Sequence, residues 1–341
     1  MVQACVLVGP SHNNQVAHHR VPQEERTLQP HPTPTRRRAR TPAVPAQRKP
    51  GAAGVAAAAG TRPLIERAAL QAVPSTLLIP LAARSRGSRY FPWLACDDAV
   101  ATGLVERLGA DVEPCLDDLH TVLNVLWRTR AIKEAGRSFF LGHPQAGGVS
   151  LGCGLSHHFQ WLDTGANQWL DADLPEVMDL REKLLPVRCP RTRHATVDLT
   201  EPGWWQRLGL PQGDGVGVQP VFIVCEGVLM YLQPAQVQAV LCEFAQWAPQ
   251  GSRLVLDVMT RRAVGRAAQH VSVGPTGAQF HWGVDSMDEL AAVHPRLALL
   301  RQQSVAECYG WPGVMLETLW WPWLGAPLYG MATLGVGDGS P

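Results

Sequence analysis

No two of the eight cysteines form a C-x-x-C pair. That absence removes the ligand spacing of a structural zinc site and of a thioredoxin-like redox centre, so no metal is expected. Cys5, Cys96, Cys115, Cys153, Cys189, Cys225, Cys242 and Cys308 are scattered instead. Cys153 and Cys225 lie inside apolar runs, so reduced, buried thiols are expected. No apolar run approaches the ~20 residues that span a bilayer, and the N-terminus lacks the apolar core of a secretory signal. The expectation is a soluble, cytoplasmic protein with no membrane partner. The net charge is only +1, which gives no overall argument for a nucleic-acid partner. There is no G-x-x-x-x-G-K-[ST] string for a nucleoside triphosphate. No recognisable Ser-His-Asp arrangement is present either.

The near-zero charge conceals an asymmetry. Residues 1–65 carry nine of the 30 Lys and Arg but only two of the 29 acids, Glu24 and Glu25, so a basic tail precedes an acidic body. Eight prolines between Pro22 and Pro63, the run Arg36-Arg37-Arg38-Ala39-Arg40 and an Ala/Gly-rich stretch at 51–60 cannot bury enough apolar surface to offset chain entropy. Residues 1–73 are therefore expected to be a disordered tail without chemistry of its own.

From residue 74 the pattern changes. Asp97 can cap a helix whose Val100, Leu104, Val105 and Leu108 share one face, and Gly109 ends it. A second helix is expected from about Leu119 to Leu141. These segments predict a helical cap over 74–143. Residues 144–341 then alternate strands and helices. Val149–Cys153, Gln168–Asp173, His194–Leu199, Val221–Glu226 and Arg253–Val258 read as strands, with helices at Pro175–Leu185 and Pro234–Trp247. Leu297–Val305, Trp311–Leu324 and Leu328–Leu334 continue as strand, helix and strand. This is an α/β domain of Rossmann-like type, a mostly parallel seven-stranded sheet with helices on both faces.

The chemistry gathers at the strand ends. Four successive strands end in Gly152-Cys153-Gly154, Asp171-Ala172-Asp173, Asp198-Leu199 and Glu226-Gly227. In a parallel sheet those ends lie along one edge and converge on one crevice. An acid after the second strand suits the two hydroxyls of a ribose, and one after the third suits an adenine amino group. A nicotinamide or an adenosyl cofactor would satisfy this much. The dinucleotide fingerprint wants a third glycine three residues after Gly154, however, and His157 stands there.

Several strings in order are more specific than the glycines: Arg128-Thr129-Arg130-Ala131-Ile132, Leu151-Gly152-Cys153-Gly154-Leu155, Asp171-Ala172-Asp173-Leu174-Pro175 and Glu226-Gly227-Val228-Leu229-Met230-Tyr231-Leu232. With Thr76–Arg84 ahead of them, residues 75–335 resemble the leucine carboxyl methyltransferase family of class I S-adenosylmethionine-dependent methyltransferases, including its polyketide O-methyltransferase branch. The resemblance implies S-adenosylmethionine as cofactor. It implies Arg128 on the cofactor's carboxylate, Gly152 and Gly154 in its turn, and Asp173 on the ribose, with Asp171 as the nearby alternative. It further implies Asp198 and Leu199 at the adenine and Glu226 at the amino-acid end.

The family's glycine turn continues into Asp-Thr, whereas here it reads Ser156-His157. A second cation that some relatives carry near the cofactor carboxylate is not evident in this sequence, its approximate place being Leu78, although Arg84 is close by. The expected function is O-methylation of a small polyketide-, phenol- or carboxylate-type acceptor. The alternatives are methylation of a protein C-terminal carboxylate and a non-catalytic relative, with a nicotinamide oxidoreductase more distant. His157, His158 and Tyr231 are candidates for a base. An acceptor wall is expected from the cap, from residues 279–283 and from Trp320-Trp321-Pro322-Trp323.

Overall fold

The computed structural model describes residues 75–337 apart from 110 and 216, so the tail expectation for 1–73 lies outside the described residues. The chain opens with α1 (Ser75–Arg86), α2 (Ala99–Leu108) and α3 (Leu119–Gly142). Asp98 caps α2, its carboxylate accepting from the Ala101 amide at 2.8 Å. The expected cap, Asp97, instead bends the chain into the left-handed region at φ 50°. A short polar side chain tolerates that geometry, so the first acid makes the turn and the second makes the cap. Asp118 caps α3 in the same manner.

There follow β1 (Gly147–Leu151), α4 (Phe159–Leu162), β2 (Trp169–Asp173), α5 (Pro175–Leu184), β3 (Thr192–Thr196), α6 (Trp204–Arg207) and β4 (Val221–Cys225). The chain continues as α7 (Pro234–Trp247), β5 (Arg253–Met259), α8 (Asp288–Ala292), β6 (Leu297–Ser304), α9 (Gly310–Leu324) and β7 (Tyr329–Val336). The seven strands run in the order β3-β2-β1-β4-β5-β7-β6, and β7 is antiparallel to both of its neighbours. Strand three ends at Thr196 rather than Leu199, which leaves Asp198 and Leu199 on the loop beyond the sheet edge.

Two apolar layers cover the sheet. One cluster runs from Leu81 and Ala82 of α1 through Leu126 and Ile132 of α3 to Phe222, Val224, Val255 and Met331 of the strands. The expected cap helices therefore share their core with one face of the sheet. The opposite face packs Val149, Ile223 and Leu256 against Val240, Leu241 and Phe244 of α7. Every residue of β4 is buried, as expected of a strand covered on both sides.

Register positions the site. Leu151 of β1 pairs with Ala172 of β2 and with Cys225 of β4, so Gly152, Asp173 and Glu226 come level one residue later. Connections leave β1 and β4 in opposite directions along the sheet, which opens a crevice between their ends.

Candidate active site

A cavity of about 570 Å³ opens at that crevice. Its lining includes Arg128, Gly152, Gly154, Asp173, Asp198, Leu199 and Glu226, so the fold brings all seven residues named from the sequence to one place. The turn is built for close approach. Gly152 and Gly154 adopt φ of +63° and +49°, where a side chain is strained. A Cβ on Gly152 would also meet Val228 at 2.2 Å, and one on Gly154 would meet Leu77 at 2.9 Å.

Asp173 steadies this turn. Its two oxygens accept from the Gly154 and Leu174 amides, both at 2.8 Å, and burial pushes its carboxyl up from the ordinary value. Asp171 is not at the cavity. It is buried beneath the turn, paired with Arg181 Nη2 at 2.5 Å and accepting from the Trp169 indole at 3.0 Å. Arg181 Nη1 in turn donates to the carbonyls of Gly154 at 2.9 Å and Ser156 at 2.7 Å. Asp198 sits at the surface, its carboxylate held by the Thr200 amide and hydroxyl, which keep it below the usual range.

The opposite end of the cavity is ionic. Glu226 accepts from Arg128 Nε at 2.6 Å, faces His158 Nε2 at 3.0 Å and lies 3.6 Å from Arg84 Nη1. Burial works against its charge, yet Arg128, His158 and Arg84 together hold it well below the carboxylate range. A depressed folded-state pKa means that stabilisation is complete above the unfolded value of about 4.3 and is lost as pH falls through the folded value. Glu226→Gln is therefore expected to lower stability at pH 7, and the gap from wild type should narrow steadily below about pH 4.3. Denaturant titrations between pH 3 and 7 check this, and a gap independent of pH contradicts it.

Arg128 also donates from Nη1 to the Tyr329 hydroxyl at 2.8 Å and lies 3.5 Å from Asp257, to which Tyr329 itself donates at 2.6 Å. Asp257 holds the Gly227 amide at 2.8 Å. Arg84 is fixed through Nε to Asp98 at 3.0 Å, yet its buried Nη1 has no hydrogen-bond partner among the described residues. Local patterning did not single out Asp257, Tyr329 or Arg181. Asp257 and Tyr329 reach Arg128 from elements distant in sequence, Arg181 lies on the helix that follows β2, and the only sequence signal was Asp257 inside a largely apolar strand.

Of the base candidates, His158 is buried between Glu226 and the Ser150 hydroxyl, 3.2 Å from its Nδ1, and does not line the cavity. His157 is likewise away from the lining, and burial lowers its pKa. Tyr231 does line the cavity, as do Gln279, Phe280 and His281. The side chains of Trp320 and Trp321 lie outside the described residues, and Trp323 is exposed.

An adenosyl cofactor with an amino-acid tail fits this donor set. Glycines leave room at one end, a carboxylate stands near them, and a buried guanidinium nitrogen with no hydrogen bond among the described residues stands with a second arginine about Glu226 at the other. The match to known proteins agrees. Residues 83–245 match the family model of leucine carboxyl methyltransferase. The chain is 28% identical over 239 residues to the tetracenomycin polyketide synthesis O-methyltransferase TcmP of Streptomyces glaucescens, covering 70% of this chain and 85% of that one. Among solved structures, a putative methyltransferase from Thermobifida fusca aligns with a TM-score of 0.47 at 14% identity, over 80% of this chain and 98% of that one. The mitomycin 7-O-methyltransferase MmcR aligns with a TM-score of 0.38 at 18% identity, over 70% and 62%. Over residues 83–245 the chain is thus similar to the leucine carboxyl methyltransferase family of S-adenosylmethionine-dependent methyltransferases, and over 239 residues to one O-methyltransferase.

Proposed function

We propose that this protein transfers a methyl group to an oxygen atom of a small-molecule acceptor. The observation that carries the cofactor site is Arg84 Nη1, buried without a hydrogen-bond partner among the described residues, 3.6 Å from Glu226, which Arg128 also pairs. Two guanidinium groups at one end of a cavity suit a two-point grip on the cofactor's carboxylate. Glu226 between them suits its ammonium group. Gly152 and Gly154 leave space for its backbone, Asp173 accepts from the ribose, and Asp198 with Leu199 flanks the adenine.

S-adenosylmethionine supplies an electrophilic methyl group on a sulfonium, so no covalent nucleophile is required of the protein. The contribution of the chain is alignment, which supplies ~7–11 kcal/mol when reacting groups are held in line. Tyr231, Phe280, Met230 and Met259 make an apolar and aromatic wall suited to an aromatic acceptor. The seven cysteines among the described residues are free thiols, in keeping with a reducing cytoplasm. No helix among the described residues is long and apolar enough to cross a membrane.

Calorimetric titration with S-adenosylhomocysteine tests the cofactor reading. Saturable binding is expected, and none at millimolar concentration overturns it. Radiolabelled methyl transfer to a panel of phenols, aromatic acids and C-terminal peptides then tests the acceptor. Label recovered only in peptide would replace a small-molecule acceptor with a protein one. Binding without transfer to any class would favour a non-catalytic protein.

A further inference from the structure

One stripe of α3 faces the cavity, Thr121, Asn124, Val125 and Arg128, at the i, i+3, i+4, i+7 spacing of a single helix face. Arg128 occupies the ionic end. Asn124 lies one turn earlier, about 6 Å along the axis. The Thr121 hydroxyl is spent on Asp118 at 2.7 Å, and Val125 is apolar. That leaves the Asn124 amide as the polar group of this stripe nearest Arg128, and it has no hydrogen-bond partner among the described residues.

A second such group comes from the exit of β4. Tyr231 ends the single turn Leu229–Tyr231 that follows Glu226-Gly227. Its ring stacks on Phe280, with centroids 5.7 Å apart and planes tilted by 38°, which fixes its direction. Its hydroxyl also lacks a partner among the described residues. Burial raises its pKa most strongly, with Arg128 opposing and Asp257 assisting, so the phenol stays protonated. It is a hydrogen-bond donor and not a base. His270, also at the lining, has its Nδ1 taken up by the Val273 amide at 3.3 Å and lying 3.8 Å from Asp118.

We propose that the Asn124 amide and the Tyr231 hydroxyl orient the acceptor, each donating a hydrogen bond to its reacting oxygen. This rests on the methyltransferase reading above and extends it to the acceptor's side. Two hydrogen-bond donors on one oxygen favour an acceptor that already carries negative charge, as in a carboxylate or an acidic phenol, over a neutral hydroxyl. A hydrogen bond to a charged group is large enough to show as a tenfold or greater change in affinity.

The test loads the full-length protein with S-adenosylhomocysteine and titrates 1-hydroxy-2-naphthoate and its methyl ester by calorimetry. The acid should bind and the ester should bind at least tenfold more weakly. Tyr231→Phe and Asn124→Leu should each weaken the acid tenfold or more, and Asn124→Asp more still, because it sets a like charge against the ligand. S-adenosylhomocysteine affinity should stay within twofold in all three, and melting temperatures should not move. A purely structural role would lower melting temperature and make Asn124→Leu and Asn124→Asp alike. The proposal is overturned if the acid binds every variant as tightly as wild type, if the ester binds as well as the acid, or if the acid fails to bind the wild-type protein. Failure of S-adenosylhomocysteine itself to bind brings down the parent reading instead.

Discussion

Arg128→Met is expected to abolish measurable S-adenosylhomocysteine binding and to lower stability by about 3–5 kcal/mol, the cost of leaving a buried charge uncompensated. The guanidinium serves Glu226 at 2.6 Å, the Tyr329 hydroxyl at 2.8 Å and Asp257 at 3.5 Å, at a site only 11% exposed. Removing it strips Glu226 of its nearest cation. Arg84, 3.6 Å away and already tied to Asp98, cannot close both gaps. Asp257 suffers as well, since burial already raises its pKa and Arg128 is the principal group pulling it down. Arg128→Lys keeps the charge but not the fork, so it should recover stability more than binding. Calorimetry and urea denaturation on the same preparations check this. A methionine variant that folds like wild type and binds within threefold would make Arg128 an ordinary helix residue.

Much of this arrangement was legible because its parts are local. A pattern of short apolar strands, each followed by an acid or a glycine, places Gly152, Asp173, Asp198 and Glu226 at one edge without any tertiary knowledge, because strands in a parallel sheet point the same way. Pro234 marks the start of α7 because its missing amide proton is no loss there. Sequence alone is weakest where two neighbours compete for one role. Asp97 and Asp98 are equally good caps in isolation, and the choice falls to Asp98 because it alone also reaches Arg84. Asp171 and Asp173 are two residues apart on one strand, hence on the same face by alternation. Only the three-dimensional position of Arg181 decides that one is buried beneath the turn while the other stays at the cavity.

What could not be read at all depends on strand order. The insertion of β7 between β5 and β6 brings Tyr329 to Arg128 across 201 positions of sequence, and no periodicity encodes that. His158 looked like a group for the acceptor because it follows the glycine turn. The chain turns inward after Ser156, however, and lays the ring between Ser150 and Glu226. It serves the carboxylate from below, opposite the two arginines.

The departure from the family at Ser156 also takes on a different meaning once Arg181 is in view. The side chain at that position does not need to hold the turn, because Arg181 Nη1 holds it from beneath through the Gly154 and Ser156 carbonyls, and Asp171 neutralises the guanidinium. Arg181→Met should therefore cost about 3–5 kcal/mol by stranding the Asp171 carboxylate at 1% exposure. Adding Asp171→Asn should return much of that stability, since the amide oxygen still accepts from the Trp169 indole and no buried charge remains. It cannot return the two carbonyl contacts. S-adenosylhomocysteine affinity should therefore stay at least tenfold weak in the double variant while its denaturation midpoint approaches wild type, a separation that calorimetry and urea titration read independently. If affinity recovers along with stability, the ion pair acts only through folding, and the glycine turn keeps its shape without Arg181.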